Sequence, residues 1–253
     1  MAEIAILTGA TGGLGKAFAE ALMKEDVDEI WAVARNAGKL DELKAEYGKK
    51  IRPVICDLGN SDELSALSGL IREEKPDIRI LINNAGIGRM GASCDFPEDE
   101  IAKTIDLNCK AVCLLCGYSI PFMSSGARIL NISSASAFQP TPYLNLYAAG
   151  KVFVRSYSRA LNAELKARGI TCTAVCPGWI DTDMLQKEYN GKPVKFPGIV
   201  PPEKVAVQAL RDSAKGRDMS VCGFFVKYEH FLGKILPQRM IMKFWMNGIK
   251  DYV

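Results

Sequence analysis

From the first residues to about Cys176, short runs of aliphatic and β-branched residues alternate with longer stretches whose apolar positions recur every three or four residues. The short runs predict strands over Ile4–Thr8, Ile30–Ala34, Ile51–Cys56, Ile78–Ile82, Arg128–Ile132 and Thr171–Val175. Several are apolar throughout instead of alternating, as strands covered on both faces must be. The periodic stretches predict helices over Leu14–Lys24, Asp62–Glu74, Glu98–Tyr118 and Leu144–Arg168. Strand and helix in strict succession build βαβ units, so the expected fold class is α/β, a parallel sheet with helices on both faces. Beyond Pro177 the alternation lapses into a Gly-, Pro- and Lys-rich loop, and a further helix is expected near Glu203–Ala214.

Composition narrows this picture only slightly. At 253 residues and 48% hydrophobic content the chain suits a single domain with a large core. A net charge of +3, without a run of one sign, gives no nucleic-acid footprint. The N-terminal residues lack the basic start and long apolar middle of a secretory signal, and no stretch is expected to span a membrane. The eight cysteines are scattered, which fits reduced thiols in a cytoplasmic protein and small core residues better than a disulfide frame.

Candidate chemistry begins where the first strand ends, at Thr8-Gly9-Ala10-Thr11-Gly12-Gly13-Leu14-Gly15. Glycines Gly9, Gly12, Gly13 and Gly15 between a strand and a helix let backbone approach a pyrophosphate, with the helix N-terminus facing the anion. The spacing is neither Gly-x-Gly-x-x-Gly nor that of a kinase-type phosphate loop, because Ala10 and Ala17 stand where the latter needs Gly and Ser or Thr. A dinucleotide site of this kind usually carries an acid about 20 residues further on for the ribose hydroxyls. Here the second strand ends in Ala34-Arg35-Asn36. Arg35 would pair with a ribose phosphate that an acid would repel, which favours NADP(H) over NAD(H).

Tyr147 and Lys151 are four residues apart on a predicted helix and so share one face. A neighbouring ammonium would favour the phenolate of a tyrosine whose ordinary pKa is about 10. The pair is common on protein surfaces and gains meaning only from its context.

That context is Asn83-Asn84-Ala85-Gly86, Asn131-Ile132-Ser133-Ser134, Tyr147-Ala148-Ala149-Gly150-Lys151 and Pro177-Gly178, together with the turn Thr8 to Gly15. In content and order these segments resemble the short-chain dehydrogenase/reductase family over about residues 3 to 185. The resemblance implies a Rossmann-type, doubly wound sheet of about seven strands. It also implies a catalytic set of Asn108, Ser134, Tyr147 and Lys151. Ser134 would bond the substrate oxygen, Tyr147 would protonate it, Lys151 would hold the nicotinamide ribose, and Asn108 would hold a relay water. By the same resemblance Thr11, Leu14, Asp57, Leu58, Asn84, Ala85 and Gly86 border the cofactor, and Pro177, Gly178, Ile180 and Thr182 cover its nicotinamide end. The expected reaction is hydride transfer between NADP(H) and a ketone or secondary alcohol. The alternative is an NADP(H)-binding regulator without catalysis. A homodimer or homotetramer is implied as well.

Two further signals need separate treatment. Cys109, Cys113 and Cys116 copy an iron–sulfur spacing, but they continue a buried helical pattern and are read as packing, with no metal expected. Residues 1–223 are expected to form the catalytic domain and 224–253 an extension. Its Phe224, Phe225, Phe231, Leu232, Ile235, Phe244 and Trp245 are interleaved with basic residues. This extension can close an apolar substrate pocket, make a subunit interface, or lie on a membrane surface.

Overall fold

The computed structural model describes residues 1–189 and 192–250. Its centre is a seven-stranded parallel sheet of β1 (Glu3–Thr8), β2 (Glu29–Ala34), β3 (Ile51–Ile55), β4 (Asp77–Asn83), β5 (Arg128–Ile132), β6 (Thr171–Val175) and β9 (Met219–Ser220), in the order β3-β2-β1-β4-β5-β6-β9. A two-residue hairpin, β7 (Glu188–Tyr189) with β8 (Lys192–Pro193), lies in the loop after β6. The doubly wound α/β architecture expected from the sequence is therefore present in a single domain.

Each face of the sheet is covered by its own helices. On one side α1 (Gly13–Leu22), α2 (Ala37–Tyr47) and α7 (Pro202–Ala214) bring Phe18, Leu22, Leu40, Leu43, Ala206 and Leu210 against alternate residues of the strands. On the other, α3 (Ser61–Glu74), α5 (Ala111–Ser119) and α6 (Asn145–Leu165) supply Leu64, Ile71, Leu115, Leu161 and Leu165. Burial on both faces explains why β1 and β2 read as unbroken apolar runs. The helix ends are chemically marked. Asn60 Oδ1 accepts from Asp62 N at 2.9 Å to open α3, and Asn36 Oδ1 accepts from Lys39 N at 2.9 Å to open α2.

Helix α4 (Glu98–Ile105) runs into α5 through a five-residue π-helical turn, Asp106–Lys110. The run Glu98–Phe122 has the length and mean hydropathy of a membrane-crossing segment, contrary to the expectation that no stretch would. A third of that window is buried, with Ala111, Leu115 and Cys116 in the core shared with α3 and β4. The cysteines also differ from a uniform core set. Cys56, Cys116, Cys172, Cys176 and Cys222 are buried, Cys109 and Cys113 are half-buried, and Cys94 is exposed.

Residues beyond Cys222 form α8 (Phe224–Ile235) and α9 (Gln238–Ile249). Helix α8 sits close to the short 3-10 turn Ala135–Phe138, since a Cβ built on Gly233 would lie 3.2 Å from Phe138 O. Helix α9 is tied down by Trp245 Nε1, which donates to Pro142 O at 2.8 Å. The described part of the extension is thus two helices folded over one end of the sheet. Of residues 224–253, the last three fall outside the described residues.

Candidate active site

The strand order reverses between β1 and β4, so the loops leaving their carboxyl ends diverge and open a crevice there. The turn after β1 forms one wall. Gly9 has φ +62°, and a Cβ there would lie 3.0 Å from Ala85 Cα, a backbone approach that only glycine permits. At Gly15 a Cβ would collide with Gly9 O, so the first helical turn can close under the loop only without a side chain. Gly12 and Gly13 are exposed, and α1 opens on Gly12 with no side-chain cap and no acid in its first turn. Its first amide groups therefore remain available to an anion. This cradle fits a dinucleotide pyrophosphate.

The loop after β4 is bolted to that turn. Thr8 Oγ1 accepts from Asn84 N at 2.9 Å and Ala85 N at 3.0 Å, while Asn84 Nδ2 donates to Thr8 O and Gly9 O. The Asn84 side chain is thereby committed to holding the glycine turn. Asn108, in the π-helical turn, uses its amide in the same way: Oδ1 accepts from Ile87 N at 2.9 Å and Nδ2 donates to Ile87 O at 2.7 Å. Gly86 lies between them, where a Cβ would be 3.1 Å from Asn108 Oδ1 and 3.4 Å from Lys151 Nζ.

The expected proton-transfer residues converge beside this loop. Ser134 follows β5, and its Oγ accepts from Ser136 N at 3.1 Å. Lys151 is buried at 4% exposure on α6, with Nζ donating to Ile132 O at 2.8 Å and standing 5.4 Å from the Tyr147 ring centroid. Burial pushes the Tyr147 phenol above its usual pKa, and a hydrogen bond with Ser134 opposes that rise. Lys151 is driven down to about 8 by desolvation, with Cys109 and Cys176 acting in the opposite sense. The arrangement differs from the simple electrostatic expectation, in which the ammonium makes the phenol acidic. Desolvation is the largest influence on both groups.

Other expected contacts line the same edge. Pro177 O accepts from Ala135 N at 2.7 Å, Ile180 bridges to Val200, and Thr182 lies over the glycine turn, its Cγ2 2.6 Å from a Cβ built on Gly13. A Cβ on Gly178 would meet Val226 of α8 at 2.5 Å. Leu58 is buried in the core, while Leu14 and Ile180 are half-buried and pack against it. Arg35 is exposed at the end of β2, with Nη1 3.9 Å from Asp57 Oδ2. It stands three strand spacings from β5, about 15 Å away. The cysteine triplet turns at least one sulfur inward, for Asn83 Nδ2 donates to Cys116 Sγ at 3.4 Å.

Sequence reasoning missed Ser133, whose Oγ donates to Lys151 O at 2.7 Å and pins α6 to the end of β5. It also missed the aromatic group of Trp179, Phe196 and Trp245, with Trp179 5.1 Å from Phe196 and 6.5 Å from Trp245 by ring centroids. The paired serines were a visible signal for the first. Nothing local pointed to the second, which joins three distant segments.

A family model described as short chain dehydrogenase matches residues 3–193. The chain belongs to the short chain dehydrogenase family. It is 36% identical over 200 residues to a very-long-chain 3-oxoacyl-CoA reductase of Anas platyrhynchos, covering 71% of this chain and 60% of that protein. It is 30% identical over 218 residues to a 3beta-hydroxysteroid dehydrogenase of Mediterraneibacter gnavus, covering 83% and 78%. Among solved structures it resembles a short-chain dehydrogenase from Sphingobium yanoikuyae in complex with NADPH, at 26% identity, TM-score 0.78 and 95% of each chain. The match thus spans about 60% of the length of the 3-oxoacyl-CoA reductase. Membership in this family accords with the seven-stranded doubly wound sheet described above.

Proposed function

We propose that this oxidoreductase uses NADPH to reduce a ketone on an extended apolar skeleton to a secondary alcohol, with Tyr147 as proton donor. The observation that carries this reading is the convergence of Ser134, Tyr147 and Lys151 beside the glycine turn, on the crevice side of the sheet. When bound, reduced nicotinamide supplies the hydride to the carbonyl carbon. Ser134 then bonds the carbonyl oxygen, and the Tyr147 hydroxyl gives that oxygen its proton. A tyrosine is protonated at neutral pH, and burial raises its pKa further, so the Tyr147 hydroxyl has a proton to give. Lys151 carries the charge that compensates the developing phenolate, and Asn108 orders the loop after β4 and a relay water.

The glycine turn from Gly9 to Gly15, including Thr11, together with Asp57, Leu58, Asn84 to Gly86, Pro177, Gly178, Ile180 and Thr182, would hold the dinucleotide along the strand ends. Arg35 at the adenosine end supports NADP(H) over NAD(H), because a guanidinium free to turn toward a ribose phosphate suits that charge. An apolar substrate is supported by two features. The named relatives act on 3-oxoacyl-CoA and 3β-hydroxysteroid, and α8 and α9 bring aromatic residues to the open end of the crevice. Residues 1–223 would carry catalysis and 224–253 would close the substrate end. Unpaired thiols at all eight cysteines suit a reducing, cytoplasmic setting.

The test is Tyr147→Phe. Carbonyl reduction should fall by about 100-fold or more, the usual size of a general-acid contribution, while NADPH binding by fluorescence is retained. Retained turnover would remove Tyr147 from the mechanism. A wild-type chain that binds NADPH but oxidises it with no steroid, acyl or aromatic ketone would support a regulator instead.

A further inference from the structure

Helix α8 is sorted in an unusual sense. Its packed side carries Val226, 1% exposed against Gly178, and Gly233, which lies against Phe138. At 100° per residue, Phe224, Tyr228, Phe231 and Ile235 fall within an arc of about 60° on the opposite side. They are 85%, 51%, 57% and 59% exposed. A single exposed apolar side chain needs no explanation, whereas a continuous stripe over three turns does. Helix α9 extends the same character outward through Met240 and Phe244, one turn apart and exposed, while its Trp245 and Ile249 turn inward.

The charges bordering these residues have one sign. Lys227 and Lys234 run along one edge of the α8 stripe, and Arg239 and Lys243 lie beside Met240 and Phe244 in sequence. The only acid between Phe224 and Ile249 is Glu229, which lies off the stripe and is partly buried.

We propose that the outer faces of α8 and α9 seat on an anionic lipid bilayer, the phenyl and aliphatic side chains entering the interface and the four cations meeting lipid phosphate and carboxylate groups. A second copy meeting this face symmetrically would set four cations against four with no acid to compensate, which charge complementarity disfavours. An anionic bilayer supplies the missing charge and an apolar layer at the depth of one side chain. Because Trp245 of α9 packs on Pro142 and Trp179, and Val226 of α8 against Gly178, such seating turns the open end of the crevice toward lipid. The seating itself requires only these helices and stands or falls apart from the catalytic reading.

Sedimentation of the full chain with phosphatidylcholine vesicles, with and without phosphatidylserine, tests the proposal. Wild type should pellet with the anionic vesicles only, and less so as salt rises. Lys227→Gln and Lys234→Gln should each lower partitioning about fivefold. Phe224→Ser with Phe231→Ser should abolish it, with the far-ultraviolet circular dichroism and the melting temperature unchanged. Wild type that ignores anionic vesicles overturns the proposal, as does a double phenylalanine variant that binds like wild type. If vesicles are ignored and Phe231→Glu instead splits an oligomer in the ultracentrifuge, the face belongs to a second copy.

Discussion

Lys151 is where the folded protein carries its clearest electrostatic burden. A drop from 10.5 to about 8 means that burial penalises the charged amine by about 3 kcal/mol. Below pH 8 the lysine is protonated in both folded and unfolded states, and the full penalty is present. Between pH 8 and 10.5 the folded state releases its proton first, so stability gains with rising pH; above that window the penalty is gone. Lys151→Met should therefore be more stable than wild type at pH 7, by about 2 kcal/mol once about 1 kcal/mol is lost for the Ile132 carbonyl left unpaired. Urea denaturation at pH 7 and pH 10 should show the advantage shrinking at the higher pH, and reductase activity should be lost at both. A gap that does not change with pH would mean Lys151 is not held under this strain. Arg35 presents the opposite case, an exposed cation beside Asp57 whose value lies in what it can bind. Arg35→Ala should raise the KM for NADPH about tenfold and leave that for NADH alone, the loss expected of one charge-assisted contact. An unchanged cofactor ratio in steady-state kinetics would remove the preference.

At the level of elements, the π-helical turn Asp106–Lys110 is the piece that makes the site possible. It gives Asn108 the direction needed to bond both the N–H and the carbonyl of Ile87, and so fixes the loop that carries Gly86 beside Lys151. Asn108→Ala removes two part-buried hydrogen bonds and leaves the Ile87 N–H and carbonyl without their partner. It should cost about 2 kcal/mol of stability and lower kcat more than the KM for NADPH, measured by thermal melting and by initial rates. The six long strands were legible because their apolar runs are continuous, and the shared helix face of Tyr147 and Lys151 because of their four-residue spacing, although the pair gained meaning only from the motifs around it. The π turn was not, for its residues continue the periodicity of the helices on either side. Helix α2 escaped notice because only Leu40 and Leu43 are buried on it, too few positions to set a period. Strand β9 has two residues, and its membership in the sheet is fixed by pairing with Ala174 and Val175, which no local pattern encodes. The sense of the Tyr147 shift was equally out of reach, since burial is a property of the assembled pocket.

Among the described residues, two exposed apolar regions differ in their chemistry. One is the basic face of α8 and α9. The other lies along the outside of α4 and α6, where Ile105, Val152 and Phe153 are exposed and Phe153 stacks on Tyr157 with ring centroids 6.1 Å apart. Arginine and lysine do not ring this second region in the same way: the neighbouring Asp106 and Lys110 already pair with each other at 2.7 Å. An apolar patch on α6 and the end of α4 suits self-association, because a helix as long as α6 buries a broad area when it meets a symmetry mate. We therefore expect a homodimer or homotetramer built on α4 and α6, leaving α8 and α9 free. Phe153→Asp should shift the sedimentation coefficient to that of a monomer by burying an unpaired carboxylate in the contact, with the NADPH-binding fluorescence unchanged. A variant that sediments like wild type would exclude this face from the assembly. If wild type is already a monomer, the same measurement removes the oligomer altogether.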